Sequence, residues 1–307
     1  MLSVFFNKSK PIHYVVLGIL LLVIFTVSRL NVQVQELDTL WILKQLGVFI
    51  ALIISVFVFD FFVTKNKLTQ KNSFKMLLFL VFVAILPETL MNAKIVLANL
   101  FLIFALRRML SLRTHRDVKK KLFDAAFWVA AASLLYFWCI VFFILIYVAL
   151  LVYSFSEIKN YLIPLVGLAT VGIIVVCYRI LMNIEILNGL KTFTAYSLDF
   201  SSLNSKRIII GTTVLFSLGL WSLFYYLRNI KSKMKSHRPT FKLIVFNLIL
   251  CLFVIAVAPS KNGSEFIFLF TPLAIIITNY LEIISEKWFK ESFLWLLVVT
   301  PFVILVL

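Results

Sequence analysis

Between Asp124 and Glu157 the chain carries no charged residue, and 125–155 is apolar almost throughout. As one helix this stretch would be roughly 46 Å long at 1.5 Å per residue. That is long for a single passage through a hydrocarbon layer ~30 Å thick and short for two. Further apolar runs occupy 12–29, 41–63, 95–110, 161–182, 207–227, 243–258, 266–280 and 293–307, with a shorter one at 76–87. Of 307 residues, 63% are hydrophobic and 14% charged, against about 45–50% and 25% in an ordinary soluble domain. Lipid is the solvent such a chain requires. Spanning β-strands alternate in polarity over ~10 residues, and these runs do not alternate. The predicted fold is therefore all-α: a polytopic transmembrane helix bundle of about 11 helices, or 10 if 125–155 crosses once. It forms a single transmembrane domain over 1–307 with no soluble domain.

Thirty basic residues outnumber thirteen acidic ones, but their placement argues against nucleic acid. Seventeen fall in three short segments: Lys65–Lys75, Arg107–Lys121 and Arg228–Lys242. All three flank apolar runs, as positive charge does on the cytoplasmic side of a membrane. Two basic segments on one side require an even number of crossings between them. Runs 161–182 and 207–227 supply two, so 125–155 must return to its starting side, as a hairpin turning near Tyr136–Cys139 or a re-entrant pair. The resulting order puts the N-terminus, 64–75, 107–124, 154–160, 228–242 and 281–292 inside. Segments 30–40, 88–94, 183–206, 259–265 and the C-terminus face outward. Lys8 and Lys10 precede the first run, and no small-x-small cleavage site follows it, so that run reads as an uncleaved first helix. The expected location is the inner membrane of a Gram-negative bacterium, multi-pass, with the N-terminus cytoplasmic.

Charges at mid-membrane are costly and mark function, but here they fall at helix ends. Asp60 is within reach of the inner interface, Arg179 snorkels near an outer one, and deeply buried charge is not expected. Asn99, Asn247 and Asn279 are expected to bond across helices. Thr271-Pro272 and Thr300-Pro301 should kink the last two helices, each hydroxyl satisfying a freed carbonyl. Cys139, Cys177 and Cys251 are scattered through apolar runs, and His13, His115 and His237 lie far apart, so neither a metal nor a cofactor is expected. No glycine loop for nucleotides occurs.

The outward side carries the candidate chemistry. Glu36, Asp38 and Glu88 are candidate catalytic carboxylates, and Lys94, Arg179 and Lys261 are candidate phosphate-binding cations. A carboxylate there takes an acceptor's proton, and cations neutralise a departing phosphate. Glu185 and Glu265 share that side. Asp38 would also be a favourable acid at the start of an interfacial helix over 38–46.

The strings Asn66-Lys67-Leu68-Thr69-Gln70-Lys71-Asn72-Ser73, Pro87-Glu88-Thr89-Leu90, Ala105-Leu106-Arg107-Arg108-Met109 and Asn160-Tyr161-Leu162-Ile163-Pro164 resemble an uncharacterised family of multi-pass inner-membrane proteins of Bacteroidota. That family implies no established activity. The layout also resembles, more loosely, the polyprenol-phosphate-dependent membrane glycosyltransferases. They carry acids in the first outward loop (here Glu36 and Asp38), short paired middle helices (125–155) and a late outward loop feeding a Pro-containing helix (Lys261 to Pro272). A large outward domain and a clear acidic pair outside the first loop are lacking here.

Three functions fit. The leading one is a non-catalytic membrane component, either a scaffold or an assembly partner of another inner-membrane protein. The second is a transferase drawing on a lipid-linked sugar donor at the outward face, and the third a secondary transporter or flippase. The bilayer is the partner common to all three.

Overall fold

The computed structural model describes residues 1–30, 39–184 and 195–306, and all regular structure among them is helical. The helices are α1 (Leu2–Phe6), α2 (Pro11–Leu30), α3 (Thr39–Lys65), α4 (Phe74–Ile85), α5 (Ala93–Ser111), α6 (Val118–Leu135), α7 (Phe143–Val152) and α8 (Ile158–Leu181). Then follow α9 (Lys206–Ile230), α10 (Arg238–Val257), α11 (Ile267–Ile283) and α12 (Lys287–Val306). Short 3-10 turns occupy Pro87–Leu90, Leu112–Thr114, Phe137–Phe142, Ser201–Leu203 and Ser264–Phe266. Among the described residues, eight helical spans are long and apolar enough to cross a membrane. Residues 39–65 form one continuous helix rather than a separate interfacial segment followed by a crossing.

The described chain clusters into two compact units. The first comprises Met1–Val96, Asp199–Lys233 and Lys261–Leu307; the second comprises Leu97–Leu198 and Met234–Ser260.

At the centre of the first unit lies α4, with 11 of its 12 residues buried. Apart from Lys75 it is apolar on every face, and such a helix has to be enclosed; α2, α3, α11 and α12 all pack on it. Phe79 and Phe82 meet Phe270 of α11 at ring-centroid separations of 6.2 and 5.8 Å. Leu86 ends α4 because the next residue is Pro87, which drives its predecessor out of the helical region. Helix α9 begins on a Ser205 cap that accepts from the Ile208 amide at 3.2 Å. It buries the stripe Ile208, Gly211, Leu215, Gly219, Ser222, Tyr226 and Ile230. Its other faces leave Leu220, Trp221 and Phe224 exposed, a surface suited to lipid.

One end of this unit is tied by a polar network through residues 66–75. Ser9 N–H donates to Lys71 O (3.2 Å) and Ser73 N–H to Phe6 O (3.0 Å). The Asn279 amide donates to Leu68 O at 2.9 Å. Glu282 accepts from Gln70 N–H (2.7 Å) and the Asn72 amide (2.6 Å). Lys75 reaches back to Asp60 at 2.9 Å, and the Tyr14 hydroxyl donates to the same carboxylate at 2.8 Å. Asp60 thus serves as a partner to a buried lysine. Lys75, Lys261, Glu265 and Glu291 all lie near helix starts, as expected, but the expectation that charge stays out of the interior needs correction, because all four are buried. Thr300 does donate to Leu296 O at 2.6 Å beside Pro301, whereas Thr271 Oγ1 has no hydrogen-bond partner among the described residues.

In the second unit the long uncharged stretch breaks at Tyr136, whose backbone is extended (φ −145°, ψ 105°). The break falls at the expected turn. The outgoing limb, α6, starts at Val118, earlier than the uncharged stretch does, and takes Lys119, Lys120 and Lys121 into its first turns. The returning limb is the 3-10 segment 137–142 followed by α7. Each limb is about 27 Å long, at 1.5 Å per α-helical and 2.0 Å per 3-10 residue. The chain comes back to its starting end: the His115 and Phe155 rings lie 4.8 Å apart, and Tyr153 Oη donates to Thr240 Oγ1 at 3.3 Å. At the tip, Trp138 Nε1 donates to Ala195 O (3.0 Å). Helix α8 buries only Asn160, Pro164, Gly167 and Val171, the i, i+4, i+7 stripe of one face, and this face meets α6.

Candidate functional site

Two breaks in helices of the first unit create a charged interior at the other end from the network at 66–75. Pro87 ends α4, and the Pro87–Leu90 turn leaves Glu88 half-buried and Thr89 buried, with Thr89 Oγ1 donating to Leu86 O at 2.7 Å. Against this turn packs the second break, Ser264–Phe266, which leads into α11. Gly263 makes the approach possible. Its φ is +89°, and a Cβ there would stand 3.3 Å from Glu88 Cβ. Arg29, near the end of α2, donates from Nη2 to Leu90 O at 2.7 Å and from Nη1 to Met91 Sδ at 3.2 Å.

Lys261 is 2% exposed and Glu265 1% exposed. The Lys261 ammonium lies 4.5 Å from the centre of the Phe200 ring, a cation–π contact that partly replaces lost water. It is also near enough to act electrostatically on Glu265 and Asp199. The Lys261 carbonyl accepts from Ser202 Oγ at 2.9 Å, and its backbone holds φ at +36°. That region is unfavourable for a side-chain-bearing residue, and such strain concentrates at functional positions. Glu265 Oε1 has no hydrogen-bond partner among the described residues. Asp199, at the surface, accepts from the Ser201 amide and hydroxyl, both at 2.9 Å. These bonds, with a smaller contribution from Lys261, hold its carboxyl below the usual range.

The residues expected from sequence therefore separate. Glu88 and Lys261 come to the same end of the first unit. Lys94 is in that unit too, exposed on the first turn of α5. Arg179 is half-buried in the second unit. Glu36, Asp38 and Glu185 lie outside the described residues. Sequence reasoning missed Arg29, Asp199 and Phe200 as site residues, and it placed Glu265 on this side without assigning it a role. The usable signal was Gly263, one of only eight glycines, set between a lysine and a glutamate at the start of an apolar run. Among the described residues no group of three His, Cys, Asp or Glu side chains gathers to hold a metal ion.

Eight long apolar helices among the described residues, with Lys261 and Glu265 buried where two helices break, are consistent with a membrane-embedded helical bundle. The chain belongs to DUF6427, a family of unknown function, which matches residues 1–306. No curated protein and no solved structure matches it.

Proposed function

We propose that this is a multi-pass protein of the bacterial inner membrane that acts on the phosphate-bearing head of a lipid-linked substrate. The site is the Glu88–Lys261–Glu265 end of the first unit, facing outward. The observation that carries this reading is the near-complete burial of Lys261 and Glu265, with one carboxylate oxygen of Glu265 left without a donor. Burying a charge costs several kcal/mol unless it is fully paired, and ionisable groups retained within a membrane bundle mark substrate sites. In transfer from such a donor, a carboxylate removes the acceptor's proton while Lys261 and Arg29 offset charge on the leaving phosphate. Glu88, the more accessible of the two carboxylates, is the proton acceptor in this scheme.

The orientation rests on charge. Lys65, Lys67 and Lys71 sit at the opposite end of the first unit from this site, and they are exposed. Cytoplasmic loops collect such residues, which supports an N-terminus inside. With the return at Tyr136, eleven crossings result, α4 being a short, enclosed one. The test is replacement of Glu88 and Glu265 by Gln in the native cell, with surface glycans and lipid-linked intermediates profiled. Loss of a glycan at wild-type protein level supports the reading; an unchanged profile refutes it.

One observation favours a second reading, a non-catalytic component of a membrane assembly. Side chains as enclosed as Lys261 and Glu265 also serve as struts that fix the 87–90 and 264–266 turns against each other. On that reading the same variants leave cell-surface chemistry intact and lower stability, and the wild-type chain co-purifies stoichiometrically with another membrane protein in mild detergent.

A further inference from the structure

Lys261 and Glu265 are almost fully buried, so a substrate reaches Lys261 only if something over it moves. We infer that residues 199–203 are a lid, which lifts so that the Lys261 ammonium exchanges the Phe200 ring for the phosphate of an incoming lipid head. The identity of the incoming group rests on the function proposed above; the opening does not.

The lid touches Lys261 at both ends of the residue. The centre of the Phe200 ring lies 4.5 Å from Nζ, and Ser202 Oγ donates to the Lys261 carbonyl at 2.9 Å. Asp199 is close enough for its carboxylate to feel the ammonium, and the Ser201 amide and hydroxyl, both at 2.9 Å, hold it in place. Yet the lid has no core of its own. No residue of the turn Ser201–Leu203 is buried, Asp199 is exposed, and Phe200 is 49% exposed even with one face over the ammonium. A segment that buries so little opens at far less cost than the fold as a whole. Asn204 and Ser205 separate it from α9, whose start is fixed by its own cap, so the lid can rise without unwinding the helix.

The floor beneath is built differently. Ser264, Glu265 and Phe266 are all buried, and Gly263 brings this turn against Glu88. Motion is thus confined to the cover. The closing contact also suits exchange. A phenyl ring compensates an ammonium for lost water, but it offers no hydrogen-bond acceptor, whereas phosphate oxygens form the stronger charge-assisted bonds. Phosphate therefore displaces the ring once the lid has lifted.

The experiment treats the full chain, in phosphatidylcholine nanodiscs, with a water-soluble N-hydroxysuccinimide ester and reads each lysine by peptide mass spectrometry. Lys206, exposed beside the lid, sets the rate of an open amine. Lys75, 1% exposed and ion-paired, sets that of a closed one. Lys261 should react at a rate between the two. Ser202→Ala removes a tether but leaves the Phe200 ring in place, and Ser202 is exposed, so packing is undisturbed. It should speed labelling of Lys261 by about threefold or more, as loss of one hydrogen bond predicts, with Lys75 unchanged. Dodecyl phosphate in the discs should slow labelling of Lys261 by about threefold or more relative to dodecanol, as charge-assisted bonds to the amine predict, and should speed hydrogen exchange at 199–203. A Lys261 rate equal to that of Lys75 or of Lys206, or one unmoved by Ser202→Ala, overturns the lid. Faster labelling in Ser202→Ala without protection by dodecyl phosphate keeps the lid and overturns the phosphate-head reading.

Discussion

The Lys75 ammonium lies 2.9 Å from the Asp60 carboxylate, and the lysine side chain is only 1% exposed. Lys75 also donates to Thr64 Oγ1 at 3.0 Å and to Asn72 O at 3.3 Å. Asp60 in turn receives the Tyr14 hydroxyl. Removing one member of such a pair strands the other, at a cost of about 3–5 kcal/mol. Asp60→Leu should therefore lower the midpoint of thermal unfolding in detergent strongly. The double variant Asp60→Leu/Lys75→Met should recover much of the loss, because neither charge is then buried alone. A loss in the double variant equal to the sum of those in Asp60→Leu and Lys75→Met alone would show that the pair is not coupled.

Two glycines of α8 should respond in opposite directions to the same methyl group. At Gly167 the new Cβ meets Ala126 Cβ at 2.8 Å and the Phe123 carbonyl at 3.0 Å. Neither can swing aside, so Gly167→Ala should destabilise by about 1–3 kcal/mol, as overpacking does. At Gly172 nothing lies within 4 Å, and Gly172→Ala should gain up to about 1 kcal/mol of helix propensity. Unfolding of both variants by graded denaturant in one detergent decides the matter.

Glu291 holds the start of the chain. Its Oε2 accepts from Leu2 N–H at 3.1 Å, and its Oε1 accepts from Ser3 N–H at 2.9 Å and from Ser3 Oγ. Glu291→Ala removes all three acceptors and should free α1 from α12. Hydrogen exchange should then accelerate by at least tenfold at residues 2–6, given about 1.5–3 kcal/mol for a bond to a charged group, and remain unchanged in α4. Unaltered exchange at 2–6 would mean that α1 is held by its apolar contacts.

Gly263→Ala probes the candidate site without changing its charge. An alanine at φ +89° is strained by about 1–2 kcal/mol, and its methyl group presses on Glu88. If the site is functional, this variant should impair the same cell-surface product as Glu88→Gln. Loss of stability with the product intact would favour the strut reading.

Much of the fold was legible because lipid imposes length. Runs of apolar residues marked the long helices, and the charges at 107–121 and 228–242 forced 125–155 to return, with Tyr136 at the turn. The buried charges were less legible. Lys75 belongs to the same basic cluster as Lys65, Lys67 and Lys71, which stay exposed. Only the helix start at Phe74 and the position of Asp60 on α3 turn it inward. Glu265 likewise precedes an apolar run and read as a loop residue. Its burial depends on Gly263 and Pro87 bringing together two turns that are distant in the chain. Pairings of that kind leave no periodic trace in one sequence.

The enclosure of α4 also sets an order of assembly. Its neighbours α2 and α3 are made before it, but α11 and α12 emerge nearly two hundred residues later. At 5–20 residues per second that delay is about 10–40 s. Throughout it, a twelve-residue helix too short to span the bilayer alone has two of its four walls missing. Truncation before α11 should therefore leave α4 unenclosed and open to degradation.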